Sequence, residues 1–215
     1  MLNAPGLVAT NPADAERSKR PTVPQVSLTM GLSREEAEQL RRVALARGTR
    51  EYALVQLLLG TGLRVSEVCN ADTGDLKREG TSWYLEVVRK GGARNLVGVP
   101  DPAARALRRY MRGRRGPLFQ GNAGERMTRR QAAYWITAMT KAAGITKTIS
   151  PHSMRHTVAT MLLDSGVSIS DVQSLLGHTT IATTARYDRA RRERNNPGTA
   201  VLATIIEDDL PDVAV

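Results

Sequence analysis

The sequence predicts a mainly α-helical fold with one small antiparallel β-sheet, and three observations carry that expectation. From Ser33 onward, polar cap residues are repeatedly followed by apolar residues at near-helical spacing. One stretch only, residues 81–99, gathers Trp83, Tyr84 and several valines on either side of Gly91-Gly92, as a hairpin does. No repeat period appears that would turn this into a solenoid or a β-propeller.

Each element follows from local signals. Residues 1–31 carry Pro5, Pro12, Pro21 and Pro24 without a sustained amphipathic period, which makes them an N-terminal tail or linker. Ser33-x-x-Glu36 has the form of a capping box, and Ala37, Leu40, Val43 and Leu45 continue the helix to Gly48. A more apolar helix covers residues 51–59 and stops at Gly60-Thr61-Gly62, and a short one runs from Val65 to Asn70. Residues 81–88 and 95–99 form the hairpin. Asp101-Pro102 caps a helix reaching to about Arg112. Further helices start near Thr128, Ser150-Pro151 and Ser168, and a last one covers residues 181–192. The folded unit is residues 32–197, with residues 198–215 as a C-terminal tail.

Composition excludes several function classes. With 215 residues and 41% hydrophobic content, the chain can bury one sizeable core. Aromatic residues make up 4%, too few for a platform that stacks successive bases of a single strand. Cys69 is the only cysteine, so neither an internal disulfide framework nor a cysteine-rich zinc site can form. No run of about 18 apolar residues and no signal-peptide core occurs, which predicts a soluble cytoplasmic protein with no membrane partner.

Charge points to a polyanion. Thirty-one Lys and Arg against 21 acids give a net charge of +10. Residues 86–130 hold twelve basic and three acidic side chains, and residues 186–200 hold five and two. In the first block Arg89, Lys90, Arg94, Arg105, Arg108, Arg109, Arg112, Arg114, Arg115, Arg126, Arg129 and Arg130 span several elements, as a broad phosphate-binding surface requires. Arginine dominates there, and its planar fork suits phosphate oxygens.

Four separated pieces carry the chemistry: Thr61-Gly62-Leu63-Arg64-Val65-Ser66-Glu67, Lys90 at the hairpin turn, His152-Ser153-Met154-Arg155, and Leu176-Gly177-His178 followed by Tyr187. In this order they resemble the tyrosine recombinase (phage integrase) family, over roughly residues 32–195. Pro151, His156, Asp164-Ser165-Gly166 and Thr184-x-x-Tyr187 extend the likeness. The resemblance implies that family's catalytic-domain fold and a catalytic set of Arg64, Lys90, His152, Arg155, His178 and Tyr187. It implies DNA recombination at attachment or crossover sites, of the phage or mobile-element integration type, on bacterial host DNA. With 32 residues before Ser33, the family's usual N-terminal core-binding domain is expected to be absent or vestigial in this sequence.

The residue types suit that reaction. A tyrosine phenol can exchange one phosphoester for another, so strand cleavage conserves the bond and needs no ATP, metal or other cofactor. The resemblance makes the product a 3′-phosphotyrosine with a free 5′-hydroxyl. Two permanently charged guanidiniums, Arg64 and Arg155, can grip the non-bridging oxygens of the transition state. Lys90 would protonate the leaving 5′-oxygen, although Arg89 stands where the family commonly has Gly and is a rival for that task. His152 would exchange the tyrosine proton or bond the phosphate, His178 would donate to the same phosphate, and Glu67 would orient the cations. Arg89, Arg94, Arg126, Arg129 and Arg130 would hold the DNA backbone.

His152 and His156 are spaced four apart like a metal pair, but no Glu follows His152 and Arg155 lies between them, so no metal is expected. The glycines at 60, 62, 91 and 92 lack the Gly-Lys-Ser/Thr of a phosphate-binding loop. A type IB topoisomerase-like enzyme and an inactive DNA-binding regulator are the competing functions. The resemblance further implies a tetramer on synapsed DNA that is a monomer when free, and a directionality factor as accessory partner. In such a tetramer Val201, Leu202, Ile205 and Ile206 would pack on a neighbouring protomer.

Overall fold

The computed structural model describes residues 31–89, 92–177 and 197–206. Among these the order is α1 (Arg34–Arg47), α2 (Thr49–Thr61), α3 (Val65–Asn70), β1 (Leu76–Glu79), β2 (Ser82–Val88), β3 (Arg94–Val99), α4 (Asp101–Met111), α5 (Arg129–Ala142), α6 (Pro151–Asp164), α7 (Ile169–Leu176) and α8 (Pro197–Ile205). The predicted class, mainly α with a small antiparallel sheet, is the class observed. The expected helix at residues 181–192 lies outside the described residues.

Capping chemistry sets several helix starts. At α1 the Glu36 N–H donates to Ser33 Oγ at 3.2 Å, while the Ser33 N–H donates to Glu36 Oε2 at 2.7 Å. Thr128 with Gln131 and Ser150 with Ser153 repeat the device at α5 and α6. At α4 the expected cap is absent: Asp101 is already the first helical residue, and Pro100 precedes it without a side-chain cap.

The central element is α2, whose residues from Tyr52 to Thr61 are all buried. A helix that is apolar on every side must be covered on every side. α1, α4, α6, α8 and β3 supply that cover. A second cluster, with Val158, Leu162, Val172, Leu175, Leu176 and Leu202, joins α6, α7 and α8.

The sheet is antiparallel in the order β1-β2-β3, with Arg78 opposite Trp83 and Trp83 opposite Val99. β1 has no counterpart in the sequence expectation. Leu76-Lys77-Arg78-Glu79 lacks apolar alternation because it is a short, charged edge strand, and such strands resist pairing with other chains.

Residues 198–206 are also not the start of a tail. They lie within α8 and its end, and Leu202 and Ile206 are buried in this chain's own core. Gly60 on α2 leaves the space that Ile206 uses: a Cβ there would stand 2.7 Å from Ile206 Cδ1.

Candidate active site

The site is built where α2, α6 and α7 end or begin together. α2 terminates at Gly62, which has φ +62°, and a Cβ at this position would meet Leu176 Cδ2 at 2.4 Å. Only glycine allows both that backbone and that approach. The chain then turns through buried Leu63 and presents Arg64 at the start of α3.

Arg64 is fixed by Glu67. One carboxylate oxygen accepts from Arg64 Nη1 at 3.0 Å and the other from the Arg64 backbone N–H at 2.8 Å. Glu67 is 5% exposed, whereas the Arg64 side chain is 42% exposed, so the carboxylate anchors the pair and the guanidinium faces outward.

Arg155, one turn into α6, is buried. Its Nη1 donates to Gly62 O at 2.7 Å and its Nη2 to Leu176 O, so one guanidinium ties the end of α2 to the end of α7. Burial, followed by the charges of Arg64 and Arg89, pulls Arg155 down to about 10, with Glu67 opposing them. It stays cationic at neutral pH. Three guanidiniums and one carboxylate thus share a corner, an excess of positive charge suited to an anion.

Arg89 enters from the end of β2. Its guanidinium lies on Gly177, the left-handed cap of α7, at φ +63°. The hairpin closes tightly beside it, with Arg89 N–H donating to Ala93 O at 2.9 Å and Gly92 N–H to Arg89 O at 3.0 Å. His152 is exposed in the first turn of α6, three residues before Arg155 and on the same face. His156 Nδ1 lies 3.3 Å from Thr160 Oγ1. Lys90, His178 and Tyr187 lie outside the described residues.

Of the candidate phosphate-binding residues, Arg129 and Arg130 are exposed on the first turn of α5, where the helix dipole is positive as well. Arg94 is exposed and pairs with Glu86 at 3.0 Å. Arg126 has a structural commitment: it donates to Cys69 O at 3.1 Å, Ala71 O at 3.0 Å and Asp72 Oδ1 at 2.5 Å, closing the end of α3. Among the described residues no group of three His, Cys, Asp or Glu side chains is placed to hold a metal ion. No described helix is long and apolar enough to cross a membrane.

Sequence reasoning missed the carbonyls of Gly62 and Leu176 as the anchors of Arg155. Backbone acceptors leave no residue-type signal, and the glycines of the Thr-Gly-Leu-Arg and Leu-Gly-His motifs are their only trace.

Comparison with known proteins bears on the family and the fold. The model of the phage integrase family matches residues 31–194. The tyrosine recombinase XerC of Myxococcus xanthus is 37% identical over 160 residues, covering 68% of this chain and 52% of its own length. The chain spans about half the length of such curated relatives. The crystal structure of XerA recombinase superposes with a TM-score of 0.64 at 30% identity, covering 76% of this chain and 63% of that one. XerH recombinase bound to its palindromic difH substrate shares the fold, with a TM-score of 0.64 at 21% identity over 71% of this chain and 47% of that one. The ordered arginine and histidine motifs, the small sheet beside a helical core and the matched span lead to one conclusion: the chain belongs to the phage integrase family of tyrosine recombinases and has the fold of their catalytic domain.

Proposed function

We propose that this chain is the catalytic part of a site-specific DNA recombinase that cuts and rejoins duplex DNA through a 3′-phosphotyrosyl intermediate. The observation that carries the proposal is the Arg64–Glu67–Arg155 corner, where two guanidiniums are held in fixed positions, one by a buried carboxylate and one by two backbone carbonyls. Preorganised cations of this kind stabilise charge that develops on non-bridging phosphate oxygens. DNA bound by XerH, a protein of the same fold, supports duplex DNA as the partner.

In the proposed reaction the Tyr187 phenolic oxygen forms a bond to phosphorus as the bond to the 5′-oxygen breaks. His152 takes up the phenolic proton or bonds the phosphate, and His178 donates to the same phosphate. Lys90 delivers a proton to the leaving 5′-oxygen, with Arg89 as its rival. Attack by a 5′-hydroxyl of the partner strand reverses the step and releases Tyr187. The number of phosphoesters is conserved, so neither ATP nor a metal is consumed. Arg89, Arg94, Arg129 and Arg130 hold the backbone, with Arg126 adding charge behind them. The active assembly is a tetramer on two synapsed sites of phage or mobile-element type, formed from monomers and steered by a directionality factor.

The test uses a pool of nicked duplexes with randomised arms, in which cleavage next to the nick releases a short fragment and traps the enzyme. A covalent 3′-phosphotyrosyl adduct, lost in Tyr187→Phe, is the expected result. Duplexes that bind without ever yielding an adduct would overturn the proposal in favour of a binding-only regulator.

A further inference from the structure

Six arginines lie between residues 105 and 115, and no acidic residue occurs from 102 to 124. The fold carries most of this charge away from the candidate active site. The beginning of α4 touches α2 near its end, since a Cβ on Gly60 would stand 3.4 Å from Ala103 Cβ and 3.5 Å from Pro100 Cδ. The other end of α4 lies by the beginning of α2: the Gln120 N–H donates to Tyr110 Oη at 3.0 Å, and Arg50 Nη1 donates to Gln120 O at 3.4 Å. α4 therefore runs antiparallel to α2, and the 13 residues of α2 separate its two ends by about 20 Å.

Along α4 and at the sheet edge the guanidiniums are held by rings. Arg78 and Arg108 flank Trp83 at 5.6 and 5.3 Å from its centroid. Arg114 lies 4.6 Å over Tyr110, which stacks at 5.4 Å on Phe119. Stacking fixes a guanidinium plane without neutralising its charge. Nη1 and Nη2 of Arg114 and Nη1 of Arg109 are shielded from solvent, with no hydrogen-bond acceptor among the described residues.

We propose that the arginine surface running along α4, from Arg78 and Arg108 at Trp83 to Arg109, Arg112, Arg114 and Arg115 at its far end, is a second binding surface for the phosphate backbone of duplex DNA. The proposal rests on the recombinase reading, which brings a duplex to the active site. The distance of about 20 Å from there to the end of α4 corresponds to about six phosphates along a strand, a span that DNA flanking the bound site would cover. A separate duplex offers the same chemistry. The acidic stretch Glu207-Asp208-Asp209 of the chain is the rival occupant.

The test is fluorescence anisotropy of the full chain with labelled duplexes of about 12 and about 40 base pairs across a salt series. Wild type should show a steeper dependence of log affinity on log salt for the long duplex, by about 3, the value for about three extra phosphate contacts. Arg108→Gln/Arg112→Gln/Arg114→Gln should lose that excess, and the matching triple Lys variant should keep it, which separates charge from folding. A complex holding two short duplexes, seen by sedimentation, identifies a separate duplex as the source; length dependence alone identifies flanking DNA. Equal slopes in wild type, without a two-duplex complex, would overturn the proposal. So would an unchanged slope in the Gln variant, or a peptide of residues 207–215 that binds wild type and not that variant while the DNA slopes stay equal. If wild type binds no duplex at all, the recombinase reading falls as well; short-duplex binding without the long-duplex excess removes only the second surface.

Discussion

The Arg89 guanidinium occupies the space a side chain at Gly177 would need: its Nη1 stands 1.7 Å from where a Cβ there would be. The end of β2 and the cap of α7 are thereby one contact. Gly177→Ala should cost stability twice, through the left-handed φ of +63° and through displacement of Arg89. A double-mutant cycle measures the second part. In an Arg89→Ala background the Gly177→Ala penalty, from urea unfolding, should shrink by about 1 kcal/mol or more. Strict additivity would show that the contact carries no energy.

Arg155→Lys is expected to be far from conservative. A lysine ammonium cannot span Gly62 O and Leu176 O with a rigid fork, so a buried carbonyl is left without its donor. Unfolding free energy should fall by about 1–3 kcal/mol. Single-turnover cleavage should fall by about a hundredfold or more. Cleavage at wild-type rate in a destabilised variant would assign Arg155 a purely structural task.

Ile206→Ala should destabilise the catalytic domain by about 2–5 kcal/mol, the usual range for truncating a buried isoleucine. Ile206 is 1% exposed and fills the space above Gly60. Thermal unfolding of the variant against wild type checks this, and an unchanged midpoint would mean that α8 does not dock on α2 in solution.

Burial pushes the Cys69 thiol from its ordinary 9.0 up to about 11, with Arg129 and Arg126 pulling the other way. The folded chain then holds a proton that the unfolded chain has already lost, so this contribution to stability is complete below about pH 9 and fades as pH rises through about 11. Wild type should lose up to about 2 kcal/mol relative to Cys69→Ala across that window. Iodoacetamide at pH 8 should leave the folded thiol unmodified and react once urea is added.

Much of the fold is legible from one-dimensional signals because those signals are local. Capping at Ser33, Thr128 and Ser150 and the i,i+3 spacing of Arg64 and Glu67 are visible in a string of letters, and the structure contains them. What escapes is decided by tertiary contact. β1 is polar and becomes a strand only because β2 offers it a ladder. α8 becomes core because Gly60 leaves room for it. Arg126 looks like any surface arginine until α3 presents its carbonyls. Basic residues close together in the sequence part for the same reason: Arg89 closes β2 beside α7, while Arg112 and Arg114 follow the far end of α4.

The tie that Arg155 makes to two carbonyls also sets a limit on its valence. A guanidinium has five N–H donors, and two are spent on Gly62 and Leu176. The three that remain define the side from which any oxyanion can be met, so the helix ends that immobilise this residue also set the direction of approach to it.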